Sequence, residues 1–232
     1  FLVFADANLE KAADELLANK LRCSGQTCVC ANRVLVQESV VERFASLVAE
    51  RVRGLKAGDG MADDTDLGPL IDRNAFNKVK DQLDDALAKG AVKAAGGPLP
   101  ELAGDYGAFF PPTLLTHCTS DMACFRQETF GPLIPLFAFS TIEEAIRMAN
   151  DTEYGLAAYV FTGDPATAER VVRCLRFGHA AWNTGTGPMA DAPFGGMKHS
   201  GCGREGGHEG LFEYVEFQTV PTSPQPCTGG LS

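Results

Sequence analysis

An open, mostly parallel, doubly wound α/β sheet is the fold class that this sequence predicts. Two observations carry that expectation. Short apolar runs of strand character alternate with amphipathic stretches at helical spacing along most of the chain. Alternation of this kind packs helices on the faces of a parallel sheet. The bulk numbers agree: 232 residues, 45% hydrophobic and 22% charged, are ordinary globular composition and enough for a sizeable core. No internal repeat or low-complexity segment interrupts the pattern before the last dozen residues.

Taken in order, residues 1–5 read as a short apolar strand. Asp6 or Asn8 then caps a helix running to about Cys23, with Leu9, Ala12, Ala13, Leu16, Leu17 and Leu21 on its inner face. Ser24 and Gly25 stop it. Residues 29–36 predict the next strand. Val40, Val41, Phe44, Leu47, Val48 and Val52 stripe a second helix closed by Gly54. Residues 57–68 form an acidic, glycine-containing loop. A third helix carries Phe76, Val79, Leu83 and Leu87 inward and ends at Gly90. A strand over 91–95, a loop over 98–112 and strands over 113–116 and 133–139 follow. Ile142, Ala145, Ile146 and Ala149 mark a short helix, and 156–161 a strand. Asp164-Pro165 caps a helix with proline at its first position. Residues 179–183 read as a strand, then a glycine-rich loop runs to about Gly203 before a short helix. Residues 214–220 alternate and predict a last strand, one that comes after the α/β pattern and fits a sheet shared with a neighbouring subunit.

The net charge of −10 argues against nucleic acid, and no basic stretch suits an anionic membrane. No apolar run approaches the roughly 20 residues that span a bilayer, and no signal peptide pattern opens the chain. Cysteines at 23, 28, 30, 118, 124, 174, 202 and 227 lie mostly inside helical or strand patterns, which suggests reduced thiols in a reducing compartment. The Cys28-Val29-Cys30 spacing does not suit zinc, so no metal is expected. Because the chain opens on a strand-like run at Phe1, upstream sequence is expected. Residues 221–232 are Pro, Ser, Thr and Gly with few apolar groups, and read as a flexible tail.

The candidate chemistry centres on Gly25-Gln26-Thr27-Cys28, a cysteine in a small-residue turn between an amphipathic helix and an apolar strand. A thiol at such a junction meets ligands. Its thiolate is a strong nucleophile towards an aldehyde carbon, and a nearby backbone N–H can hold an oxyanion. Position alone leaves the plainer reading open, since free cysteine is among the most buried residue types.

Gly25-Gln26-Thr27-Cys28, Glu128-Thr129-Phe130-Gly131-Pro132, Asn150 with Gly155-Leu156, and Pro193-Phe194-Gly195-Gly196 with Lys198 and Ser200-Gly201 fall in one order. In that order and spacing the chain resembles the NAD(P)-dependent aldehyde dehydrogenase superfamily from residue 1 to about 220. Cys28-Val29-Cys30 with Gly201-Cys202-Gly203-Arg204-Glu205 is most similar to its succinate-semialdehyde dehydrogenase branch. The resemblance implies Cys28 as nucleophile and Glu128 as the carboxylate on the nicotinamide ribose hydroxyls, which it can accept two at a time. It implies Phe130 beside the nicotinamide, Glu205 in a proton relay, Asn183 near the active site and Phe194 lining the substrate channel. Plainer readings stand beside these: a solvated loop acid for Glu128, core for Phe130, an Arg204 ion pair for Glu205. In relatives of that branch, a cysteine at the position of Cys30 pairs reversibly with the nucleophile; the alternative is a small buried residue.

The resemblance divides the chain into a catalytic domain over 1–203, a C-terminal helix and oligomerisation strand over 204–220, and the tail over 221–232. It implies that the Rossmann half, the Glu-Leu-Gly-Gly general base and an oxyanion-binding asparagine lie outside these residues, so that they form a C-terminal catalytic portion, inactive alone. NAD or NADP would be the cofactor, a small aldehyde the substrate, and a homo-oligomer in the cytoplasm or mitochondrial matrix the assembly. Succinate semialdehyde is the favoured substrate. Pro188 stands near the branch's carboxylate-binding serine and offers neither hydroxyl nor N–H. That keeps glutarate semialdehyde, an amino-aldehyde or an aliphatic aldehyde as alternatives, and a non-catalytic folding or oligomerisation fragment as the rival of another class.

Overall fold

The computed structural model describes residues 1–100 and 108–223. Parts of the expected 98–112 loop and of the 221–232 tail, with Cys227, lie outside them. In chain order the elements are β1 (Leu2–Val3), α1 (Leu9–Lys20), β2 (Val34–Gln37), α2 (Val41–Arg53), α3 (Arg73–Ala88) and β3 (Val92–Ala95). Then come β4 (Thr113–Cys118), α4 (Ala123–Arg126), β5 (Leu133–Phe139), α5 (Ile142–Asn150), β6 (Tyr154–Gly155) and β7 (Ala157–Phe161). The series ends with α6 (Pro165–Cys174), β8 (His179–Trp182) and β9 (Met197–Lys198), and a 3-10 segment over Glu209–Tyr214.

Seven strands form one sheet in the order β3-β4-β5-β2-β1-β7-β8, and β6 pairs with β9 apart from it. All neighbours in the large sheet are parallel except β3, the antiparallel edge. The period-two alternation of the strands separates two cores. Val3, Val34, Val36, Leu114 and Ile134 face α1 and α2, whereas Leu2, Leu35, Leu115 and Phe137 face α3, α5 and α6. Each such side chain taken fully out of water contributes about 1.5–3 kcal/mol. The mostly parallel α/β fold expected from the sequence is therefore observed, with helices on both faces.

Several boundaries differ, each for a local reason. Helix α1 stops at Lys20 because Cys23, Ser24 and Gly25 all take left-handed backbone, with φ of 49°, 57° and 80°. Its cap is Asn8, whose Oδ1 accepts from Lys11 N at 3.0 Å. Strand β2 begins at Val34 rather than 29: the carbonyl of Val29 and the amide of Ala31 are bonded to the Asn19 side chain, not to a neighbouring strand. On α3 the inner face uses Ala86, while Leu87 is 40% exposed. The short α4 and the β6–β9 pair carry too few residues to show a period.

The expected last strand is unpaired in this single copy. Among the described residues, 215–220 pair with no strand, and Tyr214 ends a 3-10 segment. Val215 is extended, with φ −129° and ψ 152°, but among the described residues no strand pairs with it. The aromatic groups there are left in water, Tyr214 at 90% and Phe217 at 83% exposure.

Candidate active site

The thiol loop is built residue by residue from its sequence. A Cβ on Gly25 would stand 2.3 Å from the Gly131 carbonyl oxygen, and Gly25 φ is +80°, so only glycine allows this approach. Gly131 is equally confined, since a Cβ there would meet Val79 Cγ2 at 2.5 Å. Two loops a hundred residues apart are thereby pressed together. Gln26 ties the turn sideways, accepting from Ile71 N (2.8 Å) and donating to Cys23 O (3.1 Å). Cys30 N donates to Thr27 O at 3.0 Å and closes a tight turn with Cys28 at its second position. Cys28 is an exposed free thiol.

Helix α1 holds the far side of this turn. Asn19 Nδ2 donates to Val29 O (3.2 Å) and Gly185 O (3.0 Å), and its Oδ1 accepts from Ala31 N (2.8 Å). Tyr159 on β7 donates its hydroxyl to Val29 O at 2.8 Å, and burial pushes that phenol up to about 12. Cys30 is not merely space-filling. Its Sγ lies 2.8 Å from Thr27 Oγ1 and donates to Asn19 O at 3.0 Å.

The opposite wall is the loop between α4 and β5. Asn32 Oδ1 accepts from Thr129 N (2.7 Å) while its Nδ2 donates to Gln127 O (3.1 Å) and Cys124 O (3.3 Å). The buried Thr129 hydroxyl donates to Gln82 Oε1 at 2.7 Å. With Thr129 pinned on both sides, Glu128 and Phe130 stay exposed to either side of it, Phe130 in left-handed backbone at φ 54°. Arg33, just before β2, donates to the carbonyls of Met148 (2.7 Å) and Ala149 (2.8 Å), the open end of α5. Burial lowers its guanidinium to about 10.

These walls enclose a cavity of about 320 Å³ that Cys28, Cys30, Glu128 and Phe130 all line. It opens at the amino ends of β1, β2 and β7, not at the carboxyl ends where open α/β sheets usually bind ligands. A second, smaller cavity lies across Glu128 and Phe130, against Gln26 and Lys78. An exposed carboxylate beside an aromatic face suits a ribose and a planar base, so the residues present fit a dinucleotide coenzyme.

Three further candidates lie outside the lining of the first cavity. Phe194 packs its ring 6.2 Å from that of His179, which in turn lies 6.0 Å from Tyr159. Glu205 pairs with Phe194 through both backbone groups, at 2.7 and 2.8 Å. Arg204 does not pair with Glu205: its guanidinium donates to Gly203 O and Gly196 O. Asn183 joins the ends of β7 and β8, donating to Thr162 O (2.9 Å) and accepting from Thr162 N (3.1 Å).

Sequence reasoning missed Asn19, Asn32 and Lys20. Lys20 is only 1% exposed and lines the cavity. Burial lowers its ammonium to about 8 against the pull of Cys30, Glu128 and Cys124. A lysine on the inner side of an otherwise apolar helix face was the available signal. No described helix is long and apolar enough to cross a membrane, and among the described residues no His, Cys, Asp and Glu cluster could hold a metal ion.

Comparison with known proteins matches residues 1–220 to the model of the aldehyde dehydrogenase family. The mitochondrial succinate-semialdehyde dehydrogenase of Oryza sativa is 45% identical over 231 residues, all of this chain and 42% of that protein. The 3-sulfolactaldehyde dehydrogenase of Pseudomonas putida is 44% identical over 231 residues, covering 46% of its length. Among solved structures, an oxidoreductase from Marinobacter aquaeolei superposes with a TM-score of 0.91 at 58% identity, over 96% of this chain and 46% of that one. The chain thus spans less than half the length of these relatives.

Proposed function

The chain belongs to the aldehyde dehydrogenase family, and from that premise we propose that it carries the thiol side of an NAD- or NADP-dependent aldehyde oxidation, with a semialdehyde as substrate. One observation carries the reading: Cys28 and Glu128, a hundred residues apart, share one cavity with Phe130. In this reading the Cys28 sulfur attacks the aldehyde carbon and forms a thiohemiacetal. Loss of hydride from that carbon leaves a thioester, and water releases the acid and restores the sulfur. The nicotinamide dinucleotide, when bound, supplies the hydride acceptor. Glu128 would accept from its ribose hydroxyls, and Phe130 would pack beside its ring. Thr27 and Asn19 hold the turn so that Cys28 is presented at a constant place.

Phe194 and Glu205, joined through their backbones, form the outer edge of the substrate path, with Glu205 in a proton relay, and Asn183, held by Thr162, stands near the active site. Cys30 is the reserve sulfur for a reversible bond with Cys28 under oxidation. Succinate semialdehyde is the favoured substrate. Arg22 supports an acidic aldehyde: it is exposed on the turn before the thiol and, among the described residues, forms no ion pair. The Pro188 position favours a second reading within the class, an aldehyde of different length. The exposed apolar groups over 211–220 support assembly into a homo-oligomer, and the free thiols support a reducing compartment. The general base and the Rossmann half that the resemblance implies have no counterpart in these 232 residues, which alone are not expected to turn over aldehyde.

The test is Cys28→Ser in the intact polypeptide. Aldehyde oxidation should fall by at least about a thousandfold while coenzyme binding, read by fluorescence titration, stays unchanged. Retained oxidation would remove the assignment.

A further inference from the structure

We propose that Glu15 is a positioning residue: through Gly185 it fixes the loop over 184–187 against the thiol turn, and so sets the length of aldehyde that the Cys28 site accepts. The inference rests on the reading of Cys28 as nucleophile and adds the part of the chain that limits the molecule attacked.

Glu15 lies on α1, one turn before Asn19 and on the same side of the helix. Its Oε2 accepts from Gly185 N at 2.7 Å and from the Thr184 hydroxyl at 3.4 Å. Asn19 Nδ2 donates to Gly185 O at 3.0 Å. Both backbone groups of one buried residue are thus held by side chains of a single helix. The approach is close, since a Cβ on Gly185 would stand 2.7 Å from Glu15 O and 3.2 Å from Asn19 Cβ. The other acids of α1 are used differently. Glu10 and Asp14 pair with Arg51 on α2, whereas Glu15, among the described residues, forms no ion pair. A carboxylate bonds a backbone N–H more strongly than a neutral acceptor does, and here that strength goes to the loop alone.

The loop meets the thiol turn on one side. A Cβ on Gly187 would lie 3.5 Å from Cγ2 of Val29, the residue after Cys28. The Asn19 amide that donates to Gly185 O also donates to Val29 O. On its other side the loop reaches the Phe194 edge. Thr186 O lies 3.1 Å from His179 Nε2, and the His179 ring packs 6.2 Å from that of Phe194. Thr186 and Pro188 are themselves exposed, so the bonds to Gly185 and Thr186, not burial, set where the loop stands. A wall placed within a methylene of the reacting sulfur's partner discriminates aldehydes by about 10–200-fold.

Succinate semialdehyde and glutarate semialdehyde, which differ by one methylene, test this on the intact polypeptide, with kcat and KM measured separately. Glu15→Ala frees the Gly185 amide and should bring the ratio of the two kcat/KM values about tenfold closer to one, through KM rather than kcat. Glu15→Gln keeps an oxygen that accepts from Gly185 N and should retain the ratio. Asp14→Ala, on the same helix but away from the loop, should retain it too. An unchanged ratio in Glu15→Ala, or an equal loss for both aldehydes, overturns the proposal. So does a Glu15→Gln or an Asp14→Ala that behaves like Glu15→Ala, and so does an unsubstituted protein that takes both aldehydes alike. If Glu15→Ala fails to fold by circular dichroism, Gly185→Ala decides, because its methyl group pushes the loop off α1: the ratio should move in the same direction, and an unmoved ratio overturns the proposal. Retained oxidation in Cys28→Ser removes the nucleophile reading instead, an outcome distinct from a fixed ratio in a protein that still needs Cys28.

Discussion

A lysine at the end of an apolar helix face changes how the molecule responds to pH. Lys20 has its ammonium lowered by burial from 10.5 to about 8. The unfolded chain therefore holds a proton there that the folded chain has released, across the window from about pH 8 to 10.5. Stability rises with pH wherever the unfolded state binds more protons. The penalty of the buried charge is thus fully present below pH 8 and relieved as pH climbs through the window. Thermal melts of the protein and of Lys20→Met should converge over this range, Met being the more stable below it by up to about 3 kcal/mol. Melts that run parallel would mean that the ammonium is not desolvated. The neighbouring strain at Cys23 and Ser24, two non-glycine residues in left-handed backbone, belongs to the same turn. Such strain persists only where the surroundings enforce it, and it gathers at functional sites. Gly25 was legible as a turn residue, but nothing local announced that its missing Cβ makes room for the carbonyl of Gly131.

Helix α1 works as a clamp as well as a packing element. Its apolar face was readable from the spacing of Leu9, Ala12, Ala13 and Leu16, all buried. Asn19, on the same side one turn further on, reaches three backbone groups in two loops. Replacing it by leucine keeps the volume but strands the Ala31 amide and the Gly185 carbonyl, at a cost of about 2–4 kcal/mol. Chemical denaturation of Asn19→Leu should show that loss, and iodoacetamide labelling of Cys28 should slow or become heterogeneous as the turn loosens. A full loss of stability with unaltered labelling would make Asn19 a packing residue only. The β5 side shows the same division. Leu133 to Phe139 announced itself as a strand, whereas the Asn32, Thr129 and Gln82 hydrogen bonds that aim Glu128 join three elements distant in sequence.

At the scale of the whole molecule, a seven-stranded sheet brings the loops before β2 and β5 together because those two strands are neighbours, Val34 opposite Leu136 and Leu35 opposite Phe137. The segment after the 3-10 turn is the part this architecture leaves unused. If residues 215–220 complete a sheet in an assembly, as proposed, their amides exchange with solvent within seconds in the dissociated chain. They become protected by at least about a hundredfold in the oligomer. Equal exchange in both states would remove the strand pairing. The alternation over 214–220 has no pairing strand among the described residues, because period two records which faces are apolar and not whether a partner strand exists.

What the amino-acid order determined by itself was local: which segments are helix or strand, which face of each is buried, and which small residues allow a tight turn beside Cys28. Those follow from periodicity, capping and backbone freedom, all written within a few residues. The tertiary structure alone decided that Cys28, Glu128 and Phe130 share a cavity, that it opens at the amino ends of the strands, and that Lys20 is sealed into its wall. Strand order and side-chain burial are set by contacts between residues far apart in the chain, and no short-range pattern encodes them.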